Sequence, residues 1–200
     1  PPPRLPDEVP TGVYRRTFRV PRNWARQQVE LHVGGAESVH GVYVNGEFVG
    51  YGTDSRLTSE YDISAHLVRG ENSVAIVVMR WSAHSYVEDQ DQWWMAGLHR
   101  GVHLESRAEV HLADVRVQAP WNDGEPHLAV EVQVGTTRTD APVPAGWKVA
   151  ARLETLDARR IGVAWEQPRG RAAVPADVRP YVFEGHRVRL SGAVARVQPW

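Results

Sequence analysis

The residues of this chain that are best suited to bind a ligand lie in one acidic, aromatic segment, residues 86–97. It directly follows the strand-like run 74–81 and combines three carboxylates with two adjacent indoles: Glu88, Asp89, Asp91, Trp93 and Trp94. Carboxylates bind cations and sugar hydroxyls, and indole faces pack on the C–H surfaces of sugars, so the combination indicates a carbohydrate site. The alternative is a solvated loop with two half-buried aromatic anchors, and the segment alone leaves it open.

A second candidate is the dipeptide Asn45-Gly46, which separates the strand-like runs 42–44 and 47–49. Both turn residues tolerate the positive φ of a type I′ turn. A tight hairpin therefore accounts for this dipeptide without any ligand.

Two histidines, His99 and His103, stand four residues apart in a segment with a strand pattern. Four residues of a strand span roughly 13 Å, which is too far for both side chains to reach one metal ion easily. We therefore expect no metal site at this pair. The sequence also contains no HExxH pattern, glycine-rich phosphate loop or nucleophile elbow.

The elements that must position these residues are predicted to be β-strands, because apolar and polar residues alternate through most of the chain. In residues 29–33 the apolar side chains alternate with Glu30 and His32, which predicts a half-buried strand. Similar alternation occurs in residues 14–20, 115–117, 128–134, 147–153, 161–165 and 188–190. The best helix candidate is short, Ser64 to Val68, with Asp62 or Ser64 as its cap and Gly70 as its stop.

The composition limits the class of protein. The chain has 200 residues, 42% of them hydrophobic, and a net charge of -1 from 23 basic and 24 acidic residues. This balance makes nucleic acid and anionic membranes unexpected partners. Cysteine is absent, which excludes disulfides and thiol chemistry. The absence of cysteine is compatible with any redox compartment, and the cytoplasm is the default expectation. The longest apolar run is too short to cross a bilayer and the proline-rich start has no signal-peptide core, so we expect a soluble chain with no readable targeting signal.

The length suits two β domains of about 100 residues each. The polar stretch 106–109 is predicted to link them, which places the domains at residues 1–107 and 108–200. Residues 167–171 are predicted to form an exposed loop within the second domain.

A series of motifs between roughly residues 10 and 105 resembles the N-terminal sugar-binding domain of bacterial β-galactosidases of glycoside hydrolase family 2. Their order and spacing carry the resemblance: NGEFVGYG (45–52), DSRL (54–57), SEYDIS (59–64), GEN (70–72), RWS (80–82) and EDQD (88–91). The resemblance implies a jelly-roll, galactose-binding-like β-sandwich followed by an immunoglobulin-like β-sandwich. Residues 109–200 resemble the second of these domains more loosely.

The resemblance also implies roles for individual residues. Asn45 and Asp91 match positions that contact the galactosyl group, and Asp91 also matches a ligand of a monovalent cation, usually sodium. Magnesium is expected to be bound by domains outside this chain. Glu88 and Asp89 do not share the role of Asp91 and are expected to shape the loop through hydrogen bonds or to remain solvated, while Arg56 and Arg80 are expected to pair with the acids of the loop. The tandem Trp93-Trp94 departs from the family, which commonly has one tryptophan here.

Catalysis is not expected from this chain alone. Retaining glycosidases need two carboxyl groups about 5–5.5 Å apart, and the family carries both on a (β/α)8 barrel that these 200 residues do not contain. The chain is therefore predicted to be an inactive fragment that supplies part of a galactose and cation subsite. Its expected partners are a β-galactoside and the remaining domains of a homo-oligomeric enzyme. Truncated sandwiches would lack edge strands, which favours self-association.

Three alternatives remain open. A stand-alone carbohydrate-binding module would have the same fold class and aromatic loop. A structural two-domain β protein would bind neither sugar nor sodium. A fragment of another family 2 β-glycosidase, such as a β-glucuronidase, is the nearest alternative, although the EDQD and NG-VGYG-DSR motifs favour a galactoside.

Overall fold

The computed structural model describes residues 4–88, 90–122, 124–137, 146–166, 172–173 and 185–195. The chain divides into two compact units, Pro1–Arg107 and Ala108–Trp200. Strands form nearly all the regular structure of both units, which confirms the predicted all-β class. Among the described residues, no helix has the length and apolar character needed to cross a membrane.

The first unit is built from short antiparallel strands. They are β1 (Thr11–Arg19), β2 (Gln28–Val33), β3 (Ala36–Glu37), β4 (Val39–Val44), β5 (Glu47–Gly52), β6 (Ser59–Asp62), β7 (Glu71–Met79), β8 (Gly97–Leu98) and β9 (Val102–Arg107). Its helical pieces are the single turn α1 (His84–Val87) and 3-10 turns at Arg22–Trp24 and Ser64–His66.

These strands form a β-sandwich. One sheet has the order β1-β7-β4-β5 and the other the order β6-β2-β9, while β3 pairs with β8. Alternate residues of each sheet point inward and form one apolar core: Val29, Leu31, Val33, Val42, Val44, Tyr61, Ile76 and Val78. The strand prediction for residues 29–33 is confirmed by β2.

The outward face of β2 differs from the sequence expectation. Alternation predicted a polar, half-exposed face, but Glu30 and His32 retain only 7% and 5% exposure. Arg107 and Glu60 on the flanking strands approach them and contribute to this cover. Half-burial is therefore wrong for β2, because long side chains on neighbouring strands can bury a polar face as thoroughly as a second sheet can.

The hairpin between β4 and β5 has the predicted turn. Asn45 and Gly46 both have positive φ, 51° and 87°, as a type I′ turn requires. The predicted helix at Ser64–Val68 is shorter than expected, since only Ser64–His66 is helical. The Asp62 carboxylate accepts a 2.9 Å hydrogen bond from the Ser64 N–H, but Ile63 occupies the N-cap position, so neither predicted cap residue lies there.

Close packing between the two sheets depends on two glycines of β5. A Cβ on Gly50 would lie 3.1 Å from the Tyr61 ring, and one on Gly52 would lie 2.5 Å from the His40 ring. Tyr61 and His40 are joined there by a buried 2.8 Å hydrogen bond between the hydroxyl and Nε2. Side chains at positions 50 and 52 would therefore displace this buried pair.

The second unit has its own strands. They are β10 (Val110–Gln118), β11 (Trp121–Asn122), β12 (Glu125–Thr136), β13 (Leu153–Glu154), β14 (Arg160–Ile161), β15 (Val163–Trp165), β16 (Ala172–Ala173) and β17 (Gly185–Val194). The main sheet has the order β10-β12-β17-β15, with β11 on β12 and β16 on β17. β13 and β14 pair separately, and the core centres on Leu128, Val130, Val132 and Val134 of β12.

Two boundary predictions for this part of the chain need correction. Ser106 and Arg107 belong to β9, so only Ala108 and Glu109 lie between β9 and β10. In the segment 147–153 only Leu153 is in a strand, although Trp147 and Val149 still pack against the core. Apolar alternation here reflects packing without a continuous hydrogen-bonded ladder. The predicted loop 167–171 lies outside the described residues.

Candidate functional site

The acidic, aromatic segment leaves the sandwich at the end of β7 and returns at β8. It begins with a turn that the sequence did not predict, α1, whose start is held by Ser82. The Ser82 hydroxyl accepts hydrogen bonds from the Ser38 hydroxyl at 2.9 Å and from the His84 N–H at 3.2 Å. The first part of the loop is thereby attached to the residue that precedes β4.

An ion pair fixes the far side of the loop. The Arg56 guanidinium lies 3.2 Å from the Glu37 carboxylate and donates to the Trp93 carbonyl at 3.1 Å. The same Glu37 oxygen accepts the Met95 N–H at 2.9 Å. Both charged side chains are largely buried, 27% and 12% exposed, so the pair is shielded from water. These contacts tie the backbone around Trp93 to the sandwich.

The observed contacts of the two arginines contradict the prediction that they pair with the acids of the loop. Arg56 pairs with Glu37, a residue that the sequence did not single out because an isolated glutamate carries no motif. Arg80 places its guanidinium 4.9 Å from the centre of the Trp81 ring, in a cation–π contact.

Glu88 has the scaffolding role that was expected of it. Its carboxylate accepts a 3.1 Å hydrogen bond from the Ser55 N–H. On the same stretch, Asp54 accepts the N–H groups of Arg56 and Leu57, both at 2.9 Å, and these bonds hold the pKa of Asp54 below its usual value. Asp89 lies outside the described residues. The DSR motif therefore forms a turn against which the loop packs.

The tryptophans of the loop have different environments. Trp94 packs edge-on against Trp81, with ring centres 5.2 Å apart, and keeps about half of its surface exposed. Trp93 is 88% exposed. The description as two half-buried anchors therefore suits Trp94 and fails for Trp93. An indole this exposed offers its faces to a ligand or to another protein surface.

Asp91 lies on the exposed part of this loop, between α1 and Trp93. Within the part of the chain that the structure describes, its carboxylate has no hydrogen bond or ion pair. The loop is anchored on both sides, by Glu88 before Asp91 and by Trp93 and Met95 after it. The result is an unpaired carboxylate on a held backbone, which suits a ligand for a hydroxyl or a hard cation.

Asn45 lies elsewhere in the unit and, unlike Asp91, has its side chain fully engaged in hydrogen bonds. Its amide nitrogen donates to the His66 carbonyl at 2.8 Å and to Asn72 Oδ1 at 2.9 Å, and its oxygen accepts the Ser73 N–H at 2.8 Å. Asn45 follows the end of β4, whereas Ser38, which contacts the loop, precedes its start. The six residues of β4 separate these ends by roughly 16–20 Å.

Among the described residues, no hydrogen bond joins Asn45 to Asp91 or to another residue of the loop. Both N–H donors of the Asn45 amide are already used within the unit. A sugar contact by Asn45 stays a prediction, and the observed contacts give this side chain a structural role in the hairpin. His99 is likewise structural, because its Nε2 contacts the Ser55 carbonyl at 2.8 Å.

An antiparallel β-sandwich that presents an unpaired carboxylate and exposed indoles on one loop is typical of the carbohydrate-binding class of β domains. Comparison with known families agrees with this class. Residues 1–108 match the family described as "Glycosyl hydrolases family 2, sugar binding domain". The chain therefore belongs to glycosyl hydrolase family 2.

Curated relatives extend beyond that domain. The chain is 38% identical over 191 residues to a β-galactosidase of Arthrobacter sp. (strain B7), covering 94% of this chain and 18% of the relative. It is 39% identical over 153 residues to a β-galactosidase of Pectobacterium atrosepticum, covering 76% of this chain and 15% of the relative. The chain thus spans less than a fifth of the length of these two relatives.

A solved structure supports the fold. The chain is similar to a Bifidobacterium dentium β-glucuronidase complexed with coumarin-3-O-glucuronide, with a TM-score of 0.62 and 18% sequence identity. The similarity covers 94% of this chain and 34% of that protein. At this identity the similarity concerns the arrangement of strands and not the substrate.

Proposed function

We propose that this chain forms the sugar-binding part of a β-galactosidase that hydrolyses terminal β-D-galactosides. Asp91 supplies one carboxylate to a subsite for galactose and a monovalent cation, and other domains complete that subsite. The observation that carries the proposal is the unpaired, exposed carboxylate of Asp91 on a loop anchored on both sides. A preorganised ligand loses little conformational freedom on binding, which favours affinity.

The loop also supplies a contact surface. Trp93, at 88% exposure, stands two residues from Asp91, so an apolar face and a carboxylate are presented together. A galactosyl ring offers both C–H surfaces and hydroxyl groups, which suit this pair of side chains. The remaining domains of the enzyme are the second expected partner of this surface.

The chain is proposed to be inactive by itself. Catalysis would come from two glutamates on a separate barrel domain, with sodium at the Asp91 subsite and magnesium bound by other domains. The complete enzyme is proposed to be a homo-oligomer. A cytoplasmic location stays a prediction from composition.

The test is a chimera in which this chain replaces the matching segment of the Arthrobacter β-galactosidase. The isolated chain is expected to give no hydrolysis of a nitrophenyl β-galactoside, whereas the chimera is expected to be active. Asp91→Asn should then lower kcat/KM by about 10–100-fold and weaken activation by sodium, because a charged hydrogen bond contributes about 1.5–3 kcal/mol.

The matched control is Asp114→Asn, which neutralises an exposed carboxylate on β10 of the second unit and should leave both readouts unchanged. An Asp91→Asn chimera with the parental kcat/KM and sodium dependence would contradict the proposed role. Turnover by the isolated chain would contradict its proposed inactivity.

A stand-alone sugar-binding module is the second candidate, and the exposure of Trp93 favours it. Calorimetry of the isolated chain with galactose and lactose separates the two. Binding that is lost in Trp93→Ala would support the module, while an absence of binding beside an active chimera would support the fragment.

A further inference from the structure

The outer face of the β6-β2-β9 sheet carries a cluster of histidines and glutamates that plays no part in the proposed sugar site. Residues of the three strands meet there through the pairing of His32 with Glu60 on one side and His103 on the other. Glu30 and Glu105 face each other two residues further along the same strand pair. The outer-face cluster consists of His32, His103 and Glu105, with Glu30, Glu60 and Arg107 around them.

Three of these side chains converge on one point. The His103 Nε2 lies 3.2 Å from one Glu105 oxygen, and the His32 Nε2 lies 3.7 Å from the other. The two imidazole rings stack with centres 5.0 Å apart and an angle of 14° between their planes. One ligand atom from each of the three residues falls within 4.8 Å of the others. The Glu105 carboxylate therefore sits against both Nε2 atoms.

The burial of His32 gives an independent indication of a ligand. This residue is only 5% exposed, and its buried Nε2 has no hydrogen-bond partner although it points at carboxylate oxygens of Glu30 and Glu105. On the other side of the ring, Nδ1 lies 3.5 Å from a Glu60 oxygen. A proton on Nδ1 directed at Glu60 leaves the Nε2 lone pair facing negative oxygens, an arrangement that a cation between them would stabilise.

The charges of the cluster also favour a cation. Arg107 lies 2.9 Å from Glu30 and 3.8 Å from Glu60, so the one guanidinium is directed at these two carboxylates. In the described part of the chain, the basic side chains within ion-pair distance of Glu105 are those of the two histidines. Three carboxylates against one guanidinium leave a negative local charge while the imidazoles are neutral.

We propose that His32, His103 and Glu105 bind a divalent transition-metal ion of the Zn²⁺ type. Two imidazoles and one carboxylate match the preference of zinc, whereas magnesium and calcium prefer oxygen ligands alone. Tetrahedral bonds of about 2.0–2.1 Å place neighbouring ligand atoms about 3.3–3.5 Å apart, close to the observed 3.2 and 3.7 Å. His103 and Glu105 are half-exposed, so solvent reaches the fourth position. Glu60 orients His32 from its Nδ1 side.

The test is calorimetric titration of the full chain with ZnCl₂ near neutral pH, with visible absorption of Co²⁺ as a second readout. One ion per chain is expected from Zn²⁺ and Co²⁺, and no comparable binding from MgCl₂. His103→Ala and Glu105→Gln should each weaken Zn²⁺ binding at least about tenfold, since loss of even an outer-shell partner costs about 10–100-fold. Both positions are half-exposed, so the variants are expected to fold, which circular dichroism checks.

The matched control is His66→Ala. His66 also contacts a glutamate, Glu47 at 2.9 Å, but among the described residues it belongs to no group of three potential ligands, so Zn²⁺ affinity should be unchanged. Equal Zn²⁺ affinity in the native chain, His103→Ala and Glu105→Gln would overturn the proposal. A native chain that binds no Zn²⁺ would also overturn it.

Discussion

The most informative perturbation of the first unit is the replacement of Asn45, because its amide can be either a sugar ligand or a part of the scaffold. Three hydrogen bonds connect it to His66, Asn72 and Ser73. Asn72 is 2% exposed, and its side chain accepts a hydrogen bond from the Val68 N–H and donates one to the Val68 carbonyl. The hairpin turn is thereby attached to the segment that enters β7.

The cost of Asn45→Ala follows from these contacts. Three neutral hydrogen bonds contribute about 0.5–1.5 kcal/mol each, and an alanine held at the φ of 51° adds about 1 kcal/mol. The expected loss in the free energy of unfolding is about 2.5–5.5 kcal/mol. Asn45→Gly loses the same bonds but adopts this φ freely, so it should be about 1 kcal/mol less destabilising.

Urea unfolding of the isolated chain, followed by tryptophan fluorescence, measures the global loss. Amide hydrogen exchange at Ser73 measures the local one, because its N–H donates to Asn45 Oδ1. Asn23→Ala is the control, since Asn23 is exposed and has no side-chain hydrogen bond among the described residues. Native stability and native Ser73 exchange in Asn45→Ala would refute the scaffold role and return Asn45 to consideration as a sugar ligand.

Three further predictions concern pH, the loop anchor and association. Burial lowers the pKa of His40, so the unfolded chain binds the proton more readily than the folded chain. The contribution of His40 to stability should therefore be complete above about pH 6.5 and should fall as the pH drops towards the folded pKa. His40→Phe should flatten this pH dependence of the unfolding temperature in calorimetric scans. Arg56→Met should cost about 1–3 kcal/mol locally and speed exchange of the Met95 N–H, because Glu37 loses its partner; a native exchange rate would contradict this anchor. Light scattering over a concentration series should show self-association through exposed strand edges, and a strict monomer would exclude it.

The strands and the turn were predictable because they depend on local pattern. The alternation in residues 29–33 and the Asn45-Gly46 dipeptide specify their structures through neighbouring residues alone. The family was equally accessible, because its motifs keep their order along the chain. The jelly-roll and immunoglobulin-like names for the two units stay predictions.

The contacts that define the sites were not predictable in the same way. The register between β2 and β9 places His32 beside His103, and alternation alone does not determine which residues of two distant strands face each other. The sequence suggested His99 as the neighbour to test for His103, four residues away along one strand. The partnership of Arg56 with Glu37 likewise depends on the fold, since neither residue's surroundings in the sequence point to the other.

The two glycines of β5 explain why the VGYG motif is a feature of the fold and carries no information about the substrate. Gly50 and Gly52 leave the space that the Tyr61 ring and His40 occupy, so this motif reports how tightly the two layers of the sandwich approach each other. Enzymes with different sugar preferences can share such a spacing without sharing a binding residue. Under the proposed function, a change of sugar specificity would therefore be expected in the loop around Asp91, while β5 remains as it is.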